Sequence, residues 1–580
     1  MEKEKLFKKR HSLAHLLAIA VLDKYLDAKL AIGPVIENGF YYDFEFPSSS
    51  PTPEDLKDIQ KRMKKLVLKK LDFEVKELSE NEAKEIFKDQ PYKLELIEEI
   101  AKKGEKITTY KTGDFIDLCE GPHIKNTSEI NTDAFKLQKL AGAYWRGDEK
   151  NKMLTRIYGL AFETKEELLE YLKMQEEAKK RDHRKIGKEM DLFVFSELVG
   201  SGLPLFTPKG TLLRDLIVQK IQNIQREFGY QKVTIPHITK KDLYETSGHW
   251  KKFGDELFRV KGKQDTEFVM KPMNCPHHTQ IFAGRPRSYK ELPLRYAETT
   301  MVYRDEQQGE LLGLSRVRSI TQDDGHVFCA ISQVKEEIKN IIKVIEAFYT
   351  SLDMFSDGKF WVSLSVRDKK ELEKYLGDEK KWETAESVLE DIVKEEKLPY
   401  RKVEGEAAFY GPKLDFMFKD ALGREWQLAT AQLDFVMPER FKLEYIDKDG
   451  KKKTPVMIHR AIAGSLERFL SVIIEHFAGA FPFWLSPVQV KILPIAQAHK
   501  KYAREVFEKL KEEGVRVELD DSDESLGKKI RNGKIEKVPY MLVIGDKEKE
   551  KNLVMVESRD KGQIGQKSIE EFLEDIQKER

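Results

Sequence analysis

The stretch His459-Arg-Ala-Ile-Ala-Gly-Ser-Leu-Glu-Arg468 lies near the end of a long segment, from about residue 191 to 485. Around it, helix patterns such as residues 212–228 and β-rich runs such as residues 232–235 follow one another without regular alternation. Such an order favours an antiparallel or mixed sheet over a doubly wound parallel one. The segment also lacks the phosphate-loop pattern GxxxxGK[ST] and a GxGxxG followed by a helix. We therefore predict an antiparallel sheet for residues 191–485.

The segments on either side of this stretch predict separate domains. Residues 1–163 begin with apolar residues at helical spacing and continue with alternating runs such as residues 41–44 and 115–118, which indicates an α+β domain. Residues 164–190 are rich in Glu and Lys and lack proline, so we predict one long connecting helix. Residues 486–580 open with a strand–helix–strand pattern, which implies a small α/β domain with adjacent parallel strands. The predicted fold class is multidomain α+β.

The bulk composition bounds the class of protein. A chain of 580 residues is too long for one hydrophobic core. Lys plus Arg (102) and Asp plus Glu (101) nearly cancel, so any surface for nucleic acid must be local. The 3 cysteines are far apart and odd in number, which argues against a disulfide framework, and no apolar run suits a membrane span. We expect a cytoplasmic protein that does not bind membranes.

Two sets of cysteine and histidine carry candidate chemistry. Cys275, His326 and His459 offer one thiolate and two imidazoles, but their wide spacing gives no metal signal by itself. His11 and His15 lie on one helix face, while Cys119 and His123 flank a Gly-Pro turn. By composition alone this second set fits a metal site and a hydrolytic site equally well, and ordinary core or surface histidines remain open for both sets.

Longer motifs carry a resemblance to a known family. They are Met273-Asn-Cys-Pro276, Leu292-Pro-Leu-Arg-Tyr-Ala297, Thr321-Gln-Asp-Asp-Gly-His326, Ala407-Ala-Phe-Tyr-Gly-Pro-Lys413, Gln432-Leu-Asp-Phe435 and the stretch quoted above. With them the chain resembles the threonyl-tRNA synthetases, from His11 to the C-terminus. The resemblance implies a ligase that activates threonine with ATP, attaches it to tRNA(Thr) and removes wrongly attached serine by hydrolysis. It also implies a class II catalytic domain at 191–485, flanked by an editing domain at 1–163 and an anticodon-binding domain at 486–580.

The resemblance implies a zinc site and a threonine pocket. The residues that match the family's zinc ligands are Cys275, His326 and His459, and three protein ligands leave one position open for a substrate. An apolar pocket separates threonine from valine poorly, whereas a metal that binds the hydroxyl, with Asp324 accepting its hydrogen, rejects valine. Gln322 and Tyr410 match further residues of the threonine pocket.

The resemblance also implies an ATP site that uses Mg²⁺. Arg304 and Arg468 match the arginines of the second and third class II motifs, which contact phosphate, and Glu306 matches the acid that reads adenine. Lys413, Gln322, Gln427 and Gln432 are expected to line the same pocket. The expected catalytic residues are Arg304, Gln322, Lys413 and Arg468. Pro236 ends the first motif at the expected homodimer interface.

Editing and tRNA binding are the remaining implied activities. Serine lacks only a methyl group of threonine, which is worth about 1 to 3 kcal/mol of discrimination, so a second hydrolytic site is required. The expected editing residues are His11, His15, Lys93, Asp117, Cys119 and His123. In the C-terminal domain Arg559 is the candidate base-reading residue. Lys528, Lys529, Arg531 and Lys534 are candidates for phosphate contacts.

Two departures and two alternatives complete the sequence-based picture. The sequence begins almost at the first editing helix, so we expect a form without the family's small ubiquitin-like domain. The family's Cys-Pro-Gly-His becomes Cys275-Pro-His277-His278 here, which adds an imidazole of unassigned role. The alternatives are an RNA-binding regulator on a synthetase scaffold and a trans-editing hydrolase that never activates an amino acid. The presence of Arg304, Arg468 and the three candidate zinc ligands speaks against both.

Overall fold

The computed structural model describes residues 2–263 and 266–579 and divides into two compact units, Met1–Glu176 and Glu177–Arg580. Each unit has its own hydrophobic core. Within the described residues, no helix combines the length and the apolar character that crossing a membrane would require.

The first unit is an α+β structure with two antiparallel sheets. The larger sheet has five strands and the smaller sheet three. The strands of the larger sheet are Lys29–Leu30, Val35–Ile36, Gly39–Glu45, Phe135–Tyr144 and Met153–Ala161, and those of the smaller sheet are Phe73–Leu78, Ile107–Thr112 and Phe115–Leu118. The helices are Glu2–Leu22, Asp55–Leu68, Glu80–Ile86, Pro91–Lys103 and the start of Lys165–Arg181, with short 3₁₀ turns at Thr127–Glu129 and Trp145–Gly147.

The second unit is built on an eight-stranded sheet that is antiparallel except for the outermost pair at each edge. In spatial order its strands are Gln231–Lys232, Leu294–Tyr303, Ser319–Cys329, Val456–Ala461, Glu425–Asp434, Lys413–Lys419, Phe360–Val366 and Tyr400–Glu404. The predicted antiparallel or mixed sheet is therefore confirmed. Small sheets are formed by Ile238–Lys240, Arg259–Lys261 and Glu267–Met270, by Phe193–Val194 with Leu205–Phe206, and by Tyr445–Ile446 with Lys452–Lys453.

Helices pack on this sheet through apolar faces at helical spacing. In Pro208–Glu227, the Thr207 side chain accepts a hydrogen bond from the Gly210 amide at the N-terminus, and Leu213, Ile217 and Ile221 are buried. The other helices of this part are His183–Glu189, Asp242–Ser247, His249–Phe253, Cys275–Ala283, Val334–Thr350, Glu379–Glu395, Val436–Arg440 and Leu466–Phe477. Its 3₁₀ turns are Gly254–Glu256, Tyr289–Glu291, Gln308–Glu310, Ile331–Gln333, Leu372–Lys374 and Phe483–Leu485.

The C-terminal part of the second unit forms a five-stranded α/β layer. In spatial order the strands are Val517–Leu519, Val490–Pro494, Tyr540–Ile544, Val554–Ser558 and Gly562–Lys567. The helices are Lys500–Glu512, Leu526–Ile535, Asp546–Lys551 and Ile569–Gln577, with a 3₁₀ turn at Gln497–His499. The first two strands in sequence pair in parallel, as the strand–helix–strand pattern predicted.

Two local predictions were wrong. The connecting segment is two helices, Lys165–Arg181 and His183–Glu189, because Asp182 adopts a non-helical backbone and its side chain accepts a hydrogen bond from the Arg184 amide. The predicted strand at residues 232–235 is only Gln231–Lys232. Beyond it the Glu298 carboxylate, in place of a strand partner, accepts the Ile235 amide at 3.1 Å.

Candidate functional site

One strand of the large sheet, Ser319–Cys329, organises the site in the second unit. Side chains alternate between the faces of a strand, so Gln322, Asp324 and His326 share one face. The opposite face carries Asp323, which accepts hydrogen bonds from the Arg460 guanidinium at 3.1 Å and the Ile462 amide at 2.8 Å. The buried polar contacts of one face therefore fix the strand that presents the other.

The three candidate metal ligands of this unit converge. Cys275 begins the helix Cys275–Ala283, while His326 and His459 are direct partners on neighbouring antiparallel strands. Their ligand atoms lie within 4.8 Å of one another, and all three residues are buried. The imidazole nitrogens His326 Nε2 and His459 Nδ1 are 3.1 Å apart. These atoms can share one metal ion.

Neighbouring side chains fix both rings. Asp434 Oδ2 lies 2.8 Å from His459 Nε2, and His278 Nδ1 lies 2.7 Å from His326 Nδ1. Carboxylates and other partners of this kind orient metal-binding histidines. Burial holds the pKa of His326 well below its usual range, which favours the neutral ring that a metal needs.

A polar cavity of about 370 Å³ adjoins this cluster. Its walls include six of the residues expected at the ATP site, namely Arg304, Glu306, Gln322, Gln427, Gln432 and Arg468. Arg304 is held by weak contacts: its Nη2 lies 3.2 Å from the Met273 sulfur, and its Nε has no hydrogen-bond partner in the described part of the chain. A partly buried guanidinium whose buried Nε has no partner is suited to an anionic ligand.

The remaining predicted residues of this site lie beside the cavity. The Tyr410 hydroxyl donates to the Gln432 side-chain oxygen at 2.6 Å, and its ring stacks on His459 with centroids 4.8 Å apart. Lys413 lies outside the cavity wall, and its ammonium pairs with Asp415. That carboxylate also accepts the Gln427 amide at 2.7 Å. Lys413 is thus connected to the cavity through Asp415 and Gln427.

The second candidate set lies in the first unit, at a cavity of about 550 Å³. The Cys119 sulfur is 3.3 Å from His11 Nε2 and 3.2 Å from His123 Nε2. Lys93 Nζ lies 2.6 Å from Asp117 Oδ1, and His15 Nε2 lies 3.6 Å from the other oxygen of Asp117. The structure therefore brings all six predicted editing residues together.

Burial sets the protonation of this second cluster. It lowers the pKa of His11 and holds the pKa of His15 well below its usual range. It raises the pKa of the Cys119 thiol to about 12. The rings are neutral at neutral pH, and a neutral imidazole can accept a proton.

Sequence reasoning missed several residues that contact these sites. The Tyr42 hydroxyl donates to Asp117 at 2.7 Å, and Ser12 Oγ is 3.0 Å from His123 Nδ1. In the second unit the missed residues are His249, His278 and Asp434. Asp434 lies inside the motif Gln432–Phe435 and His278 inside Cys275-Pro-His277-His278, so both of these had a signal in the sequence. The extra His277 is buried, and neither of its ring nitrogens has a partner among the described residues.

The candidate tRNA-binding residues differ in their exposure to solvent and in the partners that they already have within the protein. Arg531 is exposed, and Lys528 pairs with Glu524 at 2.7 Å. Lys529 is buried and donates to the carbonyl oxygens of Pro494 and Asp520, so the expected phosphate contact there was wrong. Lys534, the fourth of these residues, pairs with Glu557 at 2.9 Å.

Arg559, the candidate base reader, is engaged within the protein. Its guanidinium donates to the carbonyl oxygens of Phe481 and Lys537 and to both oxygens of Asp560. It would have to exchange these partners in order to read a base.

Family models match three parts of the chain. The tRNA synthetase class II core domain (G, H, P, S and T) matches residues 258–477, and the anticodon binding domain matches residues 489–579. The threonyl and alanyl tRNA synthetase second additional domain matches residues 107–158.

Similar proteins extend the match to nearly the whole chain. Threonine–tRNA ligase from Gloeobacter violaceus is 50% identical over 567 residues, which cover 97% of this chain and 90% of that protein. The corresponding ligase from Thermotoga neapolitana is 47% identical over 98% of this chain and 87% of its own length. The crystal structure of the RNA-binding domain of threonyl-tRNA synthetase from Cryptosporidium parvum superposes with a TM-score of 0.64 at 36% identity, covering 69% of this chain and 98% of that one. The chain therefore belongs to the threonine–tRNA ligases, the class II aminoacyl-tRNA synthetases that also carry an editing domain.

Proposed function

We propose that Cys275, His326 and His459 hold one Zn²⁺ ion through which the enzyme recognises threonine. The observation that carries this proposal is the convergence of the three buried ligand atoms within 4.8 Å of one another. One sulfur and two imidazole nitrogens are donors that zinc prefers. When bound, the ion would supply positions for the amino and hydroxyl groups of the substrate.

The neighbouring carboxylate completes the proposed specificity. Asp324 is buried, with one oxygen 3.7 Å from His326 Nε2 and the other accepting the Asn274 amide at 3.0 Å. We assign it the role of accepting the hydroxyl hydrogen of threonine. Valine offers no such hydrogen and would leave buried Asp324 with one hydrogen bond fewer, which accounts for its proposed rejection. Gln322 and Tyr410 are the proposed further contacts of threonine.

The adjoining cavity is the proposed site of ATP, bound together with Mg²⁺. The threonine carboxylate attacks the α-phosphorus, the bond to the β-phosphate oxygen breaks, and pyrophosphate leaves. Arg304 is placed to neutralise the charge of the α-phosphate, and Arg468 that of the departing phosphates. Glu306, Gln427 and Gln432 would hold the nucleotide. Lys413 would reach it once released from Asp415.

In the first unit we propose hydrolysis of seryl-tRNA. A water molecule must lose a proton as it attacks the ester, and the neutral rings of His11 and His15 can accept that proton. The cluster could also hold a metal by its donor set alone. The buried Lys93 ammonium, paired with Asp117 beside His15, disfavours a second cation there. Cys119 and His123 would position the substrate.

The finer assignments of partners and organisation are also proposals. We propose tRNA contacts by Lys528 and Arg531, and by Arg559 after it exchanges its present partners. We propose a cytoplasmic homodimer with Pro236 at its interface. The proposed division is editing domain 1–163, connector 164–190, catalytic domain 191–485 and anticodon-binding domain 486–580.

Threonine-dependent exchange of pyrophosphate into ATP tests the catalytic proposal. The wild-type chain should exchange with threonine and not with valine, and its zinc content should be near one equivalent per chain. A chain that acts only as an RNA-binding regulator or only as an editing hydrolase would show no exchange. Exchange by a zinc-free chain at the wild-type rate would remove the metal from the proposal.

A further inference from the structure

A buried histidine outside both clusters, His183, joins the connector (residues 164–190) to the wall of the proposed ATP cavity. His183 begins the helix His183–Glu189, immediately after the break at Asp182, and is 3% exposed. Its Nδ1 lies 2.6 Å from Glu475 Oε1, and its own backbone amide donates to the same oxygen at 3.1 Å. Its Nε2 lies 3.1 Å from the backbone nitrogen of Leu314.

These partners fix the tautomer of the ring. The Leu314 backbone group can only donate, so His183 Nε2 must accept and carries no hydrogen. The hydrogen is then on Nδ1, where it is donated to the Glu475 carboxylate. Few side chains can accept from a buried amide on one side and donate to a carboxylate on the other.

Leu314 belongs to a short loop, residues 313–316, that we call the nucleotide loop. Ser315 and Arg316 of this loop line the proposed ATP cavity. The Ser315 carbonyl oxygen accepts from Arg468 Nε at 3.2 Å, and Arg316 pairs with Glu306 at 2.6 Å. The loop therefore holds two residues assigned to ATP.

Glu475 lies on the helix Leu466–Phe477, whose first turn carries Arg468. His183 thus bridges the nucleotide loop and the far end of this helix. The fit is close, because a Cβ added at Gly313 would lie 2.3 Å from His183 Nε2. Arg181 reinforces the bridge by donating to the carbonyl oxygens of Glu475 and His476 at the end of the helix.

A metal site is the alternative reading of this cluster, since Asp182, His183 and Glu475 have ligand atoms close together. Both ring nitrogens of His183 are already used by protein partners. The Asp182 carboxylate forms a salt bridge with Arg184, and the second oxygen of Glu475 forms one with Arg424. No ring lone pair is left for an ion, so the geometry favours a structural bridge.

We propose that His183 is a positioning residue for ATP: it sets the nucleotide loop against the helix that carries Arg468 without contacting the nucleotide itself. This inference rests on the proposed function of the cavity. It assigns to the connector, which is remote in sequence from the catalytic motifs, a direct part in forming the ATP site.

The test compares His183→Leu with His183→Gln in pyrophosphate exchange by the full chain. Leucine leaves the Leu314 amide without its acceptor, so the KM for ATP should rise about tenfold while the KM for threonine stays unchanged. Glutamine can accept from Leu314 and donate to Glu475, so it should recover most of the loss. Equal rises in both KM values, or no rise, would overturn the proposal, as would loss of a bound metal equivalent in His183→Gln.

A second pair of variants keeps the test decisive if His183→Leu does not fold. Gly313→Ala pushes the nucleotide loop away from His183, and Gly358→Ala is its control. Both glycines have positive φ, 49° and 78°, but among the residues that the structure describes, no atom beyond the chain neighbours lies within 4 Å of a Cβ at Gly358. Only Gly313→Ala should raise the KM for ATP, and equal behaviour of the two variants would refute the bridge. Wild-type exchange that failed outright would instead contradict the proposed function.

Discussion

The two cysteine–histidine clusters use nearly the same donor atoms in different surroundings. Around Cys275, His326 and His459, the carboxylate of Asp434 and the ring of His278 fix the imidazoles. Around His11, His15, Cys119 and His123, a lysine ammonium is paired with the nearby Asp117, and a larger cavity is present. The donor set alone therefore does not define the chemistry. In our proposal, the charges of the neighbouring side chains favour a cation in the first cluster and a water molecule in the second.

The largest expected effect comes from Cys275→Ala. Loss of the thiolate should remove zinc and reduce threonine-dependent exchange about a thousandfold. Metal analysis and exchange kinetics measure both. Cys329→Ala, which removes another buried thiol, is the matched control and should keep zinc. Full exchange by a metal-free Cys275→Ala variant would show that this cluster does not need a metal, and the proposed difference between the two clusters would be lost.

The next effect concerns the editing cluster. His11→Ala should slow hydrolysis of seryl-tRNA about a hundredfold, because a general base is lost, while threonylation is unchanged. Deacylation of preformed seryl-tRNA measures this directly. Phe7→Ala, in the same cavity wall but without a titratable group, should have little effect. Release of a stoichiometric metal from His11→Ala would show that the two clusters are alike after all.

Asp434→Asn should have an intermediate effect. Asparagine keeps the oxygen that accepts the Val436 and Met437 amides at 2.8 Å but loses the charge beside His459. Zinc affinity should fall about ten- to a hundredfold, as for other orienting carboxylates. Competition with a chelator measures the affinity. An unchanged affinity would mean that Asp434 does not tune the metal site.

The pH dependence of editing should show a smaller, graded effect. Because burial lowers the pKa values of His11 and His15, their neutral forms persist at every pH above those lowered values. The deacylation rate should therefore hold through the usual histidine pKa of about 6.5 and decline only at lower pH. Single-turnover deacylation across a pH series measures the profile. A decline beginning above neutral pH would contradict buried neutral bases.

The smallest effect is expected at the tRNA surface. Arg531→Ala should weaken tRNA binding a few-fold and lower the slope of log affinity against log salt by about 1, whereas Arg531→Lys should keep the slope. Binding titrations at several salt concentrations give the slope. An unchanged slope in Arg531→Ala would place the tRNA elsewhere.

Sequence patterns predicted the architecture well where a pattern is local. Irregular helix and strand order predicted the antiparallel sheet, and the strand–helix–strand pattern predicted the parallel pair in the C-terminal part. The break at Asp182 was missed because the Glu- and Lys-rich composition of the connector continues across it, and one capping carboxylate ended the helix. Lys529 looked exposed in a basic run, yet its place on the helix turned it inward.

The sites themselves depended on long-range pairing. Cys275, His326 and His459 could be grouped only through the motifs around them, since their spacing carries no signal. Contacts such as His183 with Leu314 join residues more than a hundred positions apart, and no local pattern predicts them. Asp434 and His278 were likewise visible in the motifs, but their partners became known only from the register of the sheet.

The strand Ser319–Cys329 sets the distance between two parts of the catalytic unit. Gln322, in the nucleotide cavity wall, and His326, in the metal cluster, are four residues apart on one face, a span of about 13 Å at the rise of a β-strand. The backbone geometry of the strand therefore fixes the distance between the wall of the proposed ATP cavity and the proposed zinc site. A change of specificity to a longer or shorter amino acid would therefore require new side chains on this face of the strand, at positions such as 322 and 326.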